Sequence, residues 1–407
     1  MLGVRSTRAQ VPVSSGPYSS LRAWPSPVLV LAAVALSLTS CRPAASPGQT
    51  DVAAQPPQAT AATAASPAPA RTPRPTATTL PVVTDHTTQQ PLTHIAIPPL
   101  VGKTGSFDAM ELDQEAHLLY VADRTDLGVD VFDVSTPTAK YLRTVELGIR
   151  PSGLSLAKNV NKLFTGNSDS TVGVIDVDPA SATVNTVIAR INTGGPGGVD
   201  LIDYDSKDNK VYAANADDGF ITAIDAVKNE VVKKIGGLGG GLEQPRYNPG
   251  DGMVYLAGAR DNVLYQIDPI KDELIQTFDV GVACAPHGLA INPGTNQALL
   301  GCGNREQQHT VVWDLKAGKV LATFDQVGAG DLVTYDAKAG KFLFAAENFY
   351  RGGQLAIFSG SPIQFLTNVP TAVGSRSVAF DETNKVVYTG DQLPGEAGLL
   401  SFPLPGK

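Results

Sequence analysis

The chain has 407 residues, with 39 acidic against 31 basic side chains and a formal net charge of −8. Phosphates want Lys and Arg, so this balance counts against nucleic acid and against an anionic membrane surface as direct partners. No Cys-x-x-Cys-His run is present, which removes haem attachment of the c type.

Residues 1–40 carry Arg5, Arg8 and Arg22 and no acid. An uncharged stretch follows, with the apolar centre Val28-Leu-Val-Leu-Ala-Ala-Val-Ala-Leu36, too short for a comfortable membrane span. The order basic, apolar, small is that of a secretory signal. It ends in Leu38-Thr39-Ser40-Cys41, which resembles a bacterial lipobox. That resemblance implies a lipid on Cys41, which becomes the first mature residue and ties the chain to a membrane. An uncleaved anchor helix is the other reading; either way the domain is expected outside the cytoplasm. Loss of residues 1–40 takes the net charge from −8 to −11.

Residues 41–92 are rich in Ala, Pro, Thr, Ser and Gln and poor in large apolar groups, so they read as a disordered tether. The domain is expected over 93–407. Within it a Tyr-Val-Ala-Asp unit at Tyr120 recurs at Phe164, Tyr212, Tyr255, Leu299, Leu343 and Tyr388, at intervals of 43 to 48 residues. A period of that size marks a β-propeller blade, one four-stranded sheet per repeat. Each repeat has short alternating strands and polar turns, and the third strand usually ends in Asp, as at Asp133, Asp176, Asp225, Asp268 and Asp314. First, second and third strands occur seven times and a fourth only six. The spare strand, residues 93–98, precedes the first repeat. The chain is therefore predicted to be all-β, a seven-bladed β-propeller closed by an N-terminal strand in the last blade.

Tyr120-Val-Ala-Asp, Tyr212-Ala-Ala-Asn and the run from Ile221 to Ile235 resemble the YVTN-repeat propellers over about residues 93–404. That resemblance implies an extracytoplasmic propeller and assigns no chemistry. It weakens in the last two repeats, where Ser359 replaces one terminal Asp and the other is lost.

The residues opening the seven first strands are Asp108, Ser152, Asp200, Glu243, His287, Asp331 and Arg376. They are expected to line one mouth of the central channel. Its carboxylates, Asp108, Asp200, Glu243 and Asp331, suit a hard cation such as Ca²⁺, a mixed His/carboxylate set suits a transition metal or a polar ligand, and a hydrated rim with no ligand is the plain alternative. Asp108 and Asp331 are expected nearly opposite each other, so that one ion cannot engage all four acids. In the fifth repeat Cys284 and Cys302 face each other across a hairpin and are expected to form a disulfide. The loop that follows should carry Asn304, Arg305, Glu306 and His309 to the face of His287, as a site for an anionic or carbohydrate ligand or for acid/base work. Phe349 and Tyr350 in the sixth repeat either stack on a ligand there or pack on the neighbouring blade.

Two functions follow. One is a monomeric, lipid-anchored scaffold that binds a protein, a polar small molecule or a glycan, without catalysis. The other is a metal-assisted lactonase or lyase using the carboxylates and His287. Too few histidines fall in register for the two-histidine lyase pattern.

Overall fold

A computed structural model describes residues 86–349, 352–395 and 397–406. Seven four-stranded antiparallel sheets make seven blades. Blade one runs Phe107–Asp113, Leu118–Asp123, Gly128–Asp133 and Lys140–Glu146, from the centre outwards, and blades two to six repeat that order. First strands touch the first strands of both neighbouring blades and so enclose the axis.

Burial explains the alternation of residue types. The second strand lies mid-sheet between two other blades, so both of its faces are covered: Lys210–Asn215 is buried from Val211 to Asn215. The fourth strand is the outer edge, and in Glu230–Ile235 only Ile235 is buried. The aromatic anchors fill the space between sheets; Tyr120, Tyr212, Tyr255 and Tyr388 are at most 1% exposed. Tyr212 donates its hydroxyl to Asp272 of the next blade at 2.9 Å, and Lys210 holds the other oxygen of that carboxylate at 2.7 Å. Gly153 and Gly166 permit the close approach of blades two and three, since a Cβ at either would lie 2.6 or 2.3 Å from the backbone oxygen of Asp200.

The Asp that ends the third strand in blades one to five is a turn device. Asp225 accepts from the backbone N–H groups of Val227 and Lys228, both at 2.9 Å, and Asp314 does the same for Lys316 and Ala317. A carboxylate that satisfies two turn donors replaces a missing backbone partner. In blade six Ser359 performs this task, accepting from the Gln364 N–H at 3.0 Å. The repeat thus weakens in sequence there while its turn chemistry persists.

The ring closes as predicted. Thr93–Ala96 pairs antiparallel with Gly398–Pro403 and supplies the fourth strand of blade seven, with Ile95 opposite Leu399. The strand is shorter than the expected 93–98, because Pro98 and Pro99 lack an N–H for the ladder; residues Pro98–Leu100 form a 3₁₀ turn instead. Ile95, Ile97 and Leu100 enter one core cluster with Phe107 of blade one and Leu399 of blade seven. Residues 86–88, expected within the tether, lie along the outer edge of blade six: the Thr88 N–H donates to Asn368 O and the Asn368 N–H to His86 O, both at 2.8 Å. Residues 1–40, Cys41 and the tether up to residue 85 lie outside the described residues, as does Tyr350.

Candidate functional site

The mouth of the channel is a cup of about 270 Å³, and six of the seven predicted rim positions line it: Asp108, Asp200, Glu243, His287, Asp331 and Arg376. Ser152 stands behind them, accepting from Arg124 at 2.8 Å. The backbone aims these side chains inward. In blades one to five the pairing register slips where the rim residue sits, between Phe107 and Met110, Pro151 and Leu154, Val199 and Ile202, Leu242 and Pro245, and Pro286 and Gly288. Such bulges leave a residue unpaired and turn its side chain out of the sheet plane.

Three guanidinium groups divide the cup. Arg124 bridges Asp108, Ser152 and the Pro151 carbonyl, with Asp200 at 3.7 Å. Burial pushes Arg124 down to about 10, which still leaves it charged at neutral pH. Arg376 lies 3.7 Å from Asp331 and 3.3 Å from Glu347. Arg305 stands exposed at the rim and makes no ion pair among the described residues.

Glu243 is the least neutralised acid. Burial, then the charges of Asp200 and Asp331, push its carboxyl up to about 10, against the pull of Arg376 and Arg124. Asp331 is likewise raised, to about 6, mainly by burial. His287 faces Glu243, its Nε2 3.6 Å from Oε1. Its Nδ1 is 2.8 Å from the Ala285 carbonyl, which can only accept, so Nδ1 carries a proton and Nε2 is the nitrogen turned to Glu243. The Cys284–Cys302 disulfide forms as expected, with its Cα atoms 4.6 Å apart. It fixes the loop base: the Asn304 and Gly303 N–H groups donate to Cys284 O and Ala285 O, at 3.1 and 3.0 Å.

The predicted ligand set divides. His287, Arg305 and Arg376 converge on the cup. Asn304 instead ties its own loop, accepting from the Glu306 and Gln307 N–H groups at 2.9 and 3.1 Å, and Glu306 points to solvent. His309 does not line the cup; it is buried at the start of the third strand of blade five, and burial lowers its basicity. Phe349 is 4% exposed and packs in the core between blades five and six, the second of its two predicted placements.

Asp108 and Asp331 are not opposite. Blades one and six are separated only by blade seven, and Arg376 of that blade sits beside Asp331. Counting repeats along the chain, without closing the circle, produced the wrong expectation. Among the described residues no three His, Cys, Asp or Glu side chains gather as metal ligands. Asp108 pairs with Arg124, and Asp200 and Asp331 each lie 3.7 Å from a guanidinium group.

Two contributors went unpredicted. Arg124 and Glu347 each directly follow a second strand, after Asp123 and Ala346. Gly303 holds the same place in blade five, after Cys302. That shared position, one residue past the second strand, is the sequence signal for them.

Leu201 lines the cup and shares one buried cluster with Leu154, Leu332 and Ala109. Below it lies a cavity of about 50 Å³, lined in part by Glu111 and Arg246. There Arg246 contacts Asp203 at 3.1 Å, and burial pushes Glu111 up to about 7. The sequence matches no protein-family model and no curated protein.

Proposed function

We propose that this β-propeller is a lipid-anchored, extracytoplasmic binding protein of the YVTN-repeat kind, which takes a small polar ligand or a partner's polar side chain into the cup and catalyses nothing. The propeller fold itself is commonly a protein-interaction scaffold. One observation carries the reading. The cup is small and concave, and its lining charges include Arg124 and Arg376 held against Asp108, Asp331 and Glu347. Preorganised polar walls around a small concave site are what specific ligand binding requires. Metal-assisted lactone or lyase chemistry needs several ligands gathered on one ion, and among the described residues no three His, Cys, Asp or Glu side chains gather in that way.

The test has two arms. Thermal-shift screening of the purified protein against polar solutes and glycans should find a ligand whose effect is lost in Asp200→Ala. Lactone turnover in Ca²⁺-containing buffer, abolished by His287→Ala, would overturn the reading in favour of the enzyme. Fractionation checks the anchor: wild type should sediment with membranes and Cys41→Ser should not.

A further inference from the structure

We propose that the ligand of the cup is a small zwitterion, an ammonium group held low among Asp200, Glu243 and Asp331 and a carboxylate held at the rim by Arg305. The inference rests on reading the cup as a ligand site and adds the charge pattern of what enters it.

The lining holds five carboxylates, Asp108, Asp200, Glu243, Asp331 and Glu347, and three guanidinium groups. Two of those cations are spent within the walls. Arg124 lies between Asp108 and Asp200, and Arg376 between Asp331 and Glu347. Asp200 is the weakly served member of the first pair, 3.7 Å from Arg124. Glu243 forms no ion pair with an arginine among the described residues and has the His287 Nε2 at 3.6 Å. Asp200 and Asp331, each 3.7 Å from its arginine, keep part of their negative charge for a ligand, and Glu243 becomes a third carboxylate once its proton leaves.

The rim has the opposite character. Arg305 lies on the loop held by the disulfide and by Asn304, and it is the one lining guanidinium without a carboxylate among the described residues. A site that is anionic below and cationic above selects a solute of the reverse polarity. Its volume of about 270 Å³ matches an amino acid or a sugar-sized molecule rather than a polymer. The Glu243 and Asp331 side chains are 16% and 15% exposed, so the attraction of an ammonium to them is less screened than in open water.

Proton linkage provides a signature. The groups facing Glu243 are His287, Asp200, Asp331, Arg376 and Arg124. The two acids help hold its proton on, and an ammonium placed among them reverses that repulsion. Binding then expels the Glu243 proton, and affinity rises with pH below the free value of about 10.

The experiment is calorimetry of the full protein with four size-matched probes: L-serine, ethanolamine, glycerate and glycerol. L-serine is expected to bind best and ethanolamine detectably. Serine affinity should rise about tenfold per pH unit between pH 6.5 and 8.5, with close to one proton released. Arg305→Ala should weaken serine about tenfold and leave ethanolamine within twofold. Glu243→Gln should abolish proton release. Preference for glycerate or glycerol would overturn the zwitterion and leave the cup a ligand site. Failure of all four probes, together with an empty polar-solute and glycan screen, would remove both readings.

Discussion

Replacing Ile97 by alanine tests whether the early strand holds the ring shut. Ile97 is fully buried and lies between blades seven and one, with Phe107, Leu119 and Leu399 in the same cluster. Truncating a buried isoleucine to alanine costs about 2–5 kcal/mol through lost transfer energy and the cavity left behind. The domain spans residues 86–406. Its unfolding entropy, at roughly 2.1 cal/mol/K per residue, is about 0.7 kcal/mol/K, so the melting temperature should drop by about 3–7 °C. Thr93→Ala, exposed on the closing strand just before Ile97, should change stability by less than about 0.5 kcal/mol. Circular dichroism melts and urea midpoints measure both. A protein beginning at Lys103 should also lose the single cooperative transition, since blade seven then has an open edge. An Ile97→Ala melt within 1 °C of wild type (~1 °C is the effect of a surface substitution), or an unchanged transition after truncation, refutes the closure argument.

Tyr212→Phe should cost about 1.5–3 kcal/mol by urea titration, because it removes a buried hydrogen bond to the Asp272 carboxylate. Asp130 is buried beside Asp123, and burial followed by that neighbour's charge raises its carboxyl to about 8. An unfolded Asp titrates near 3.9, so between these values the folded form holds the extra proton. The stability present below about pH 4 is therefore lost as pH rises towards 8. Asp130→Asn should flatten this decline in urea midpoints from pH 5 to 8.5; parallel curves for the two proteins would rule the explanation out. Gly303→Ala places a Cβ 2.0 Å from the His287 Nδ1, so the ring must leave the Ala285 carbonyl. Cup affinity should drop about tenfold, the worth of one lost polar contact, with the His287 imidazole shift moving by NMR.

The repeat was legible because the blades bury their second strands on both faces and the first six cap the third with a side-chain oxygen. Both demands recur every turn of the ring and leave Tyr, Val, Ala and Asp at fixed places. The closing strand could be counted for the same reason. The rim residues could be named because they share one register position, and the bulges that aim them do not disturb that count. What could not be read was lateral. Arg124 reaches from the end of one strand to the rim residues of two neighbouring blades, and no local pattern reports a contact between blades. The same blindness put Asp108 and Asp331 far apart and sent His309 to the mouth, where side-chain direction at a strand entrance decides between cup and core.

The strand that seals the circle has a consequence in time. Thr93 leaves the ribosome some three hundred residues before its partner Ser401 exists, at order-of-magnitude synthesis rates tens of seconds earlier. Until then Ile95 and Ile97 have nowhere to hide, and six finished sheets wait on a seventh that is short of one edge. Whatever chaperones the nascent chain must therefore guard its beginning until its end arrives.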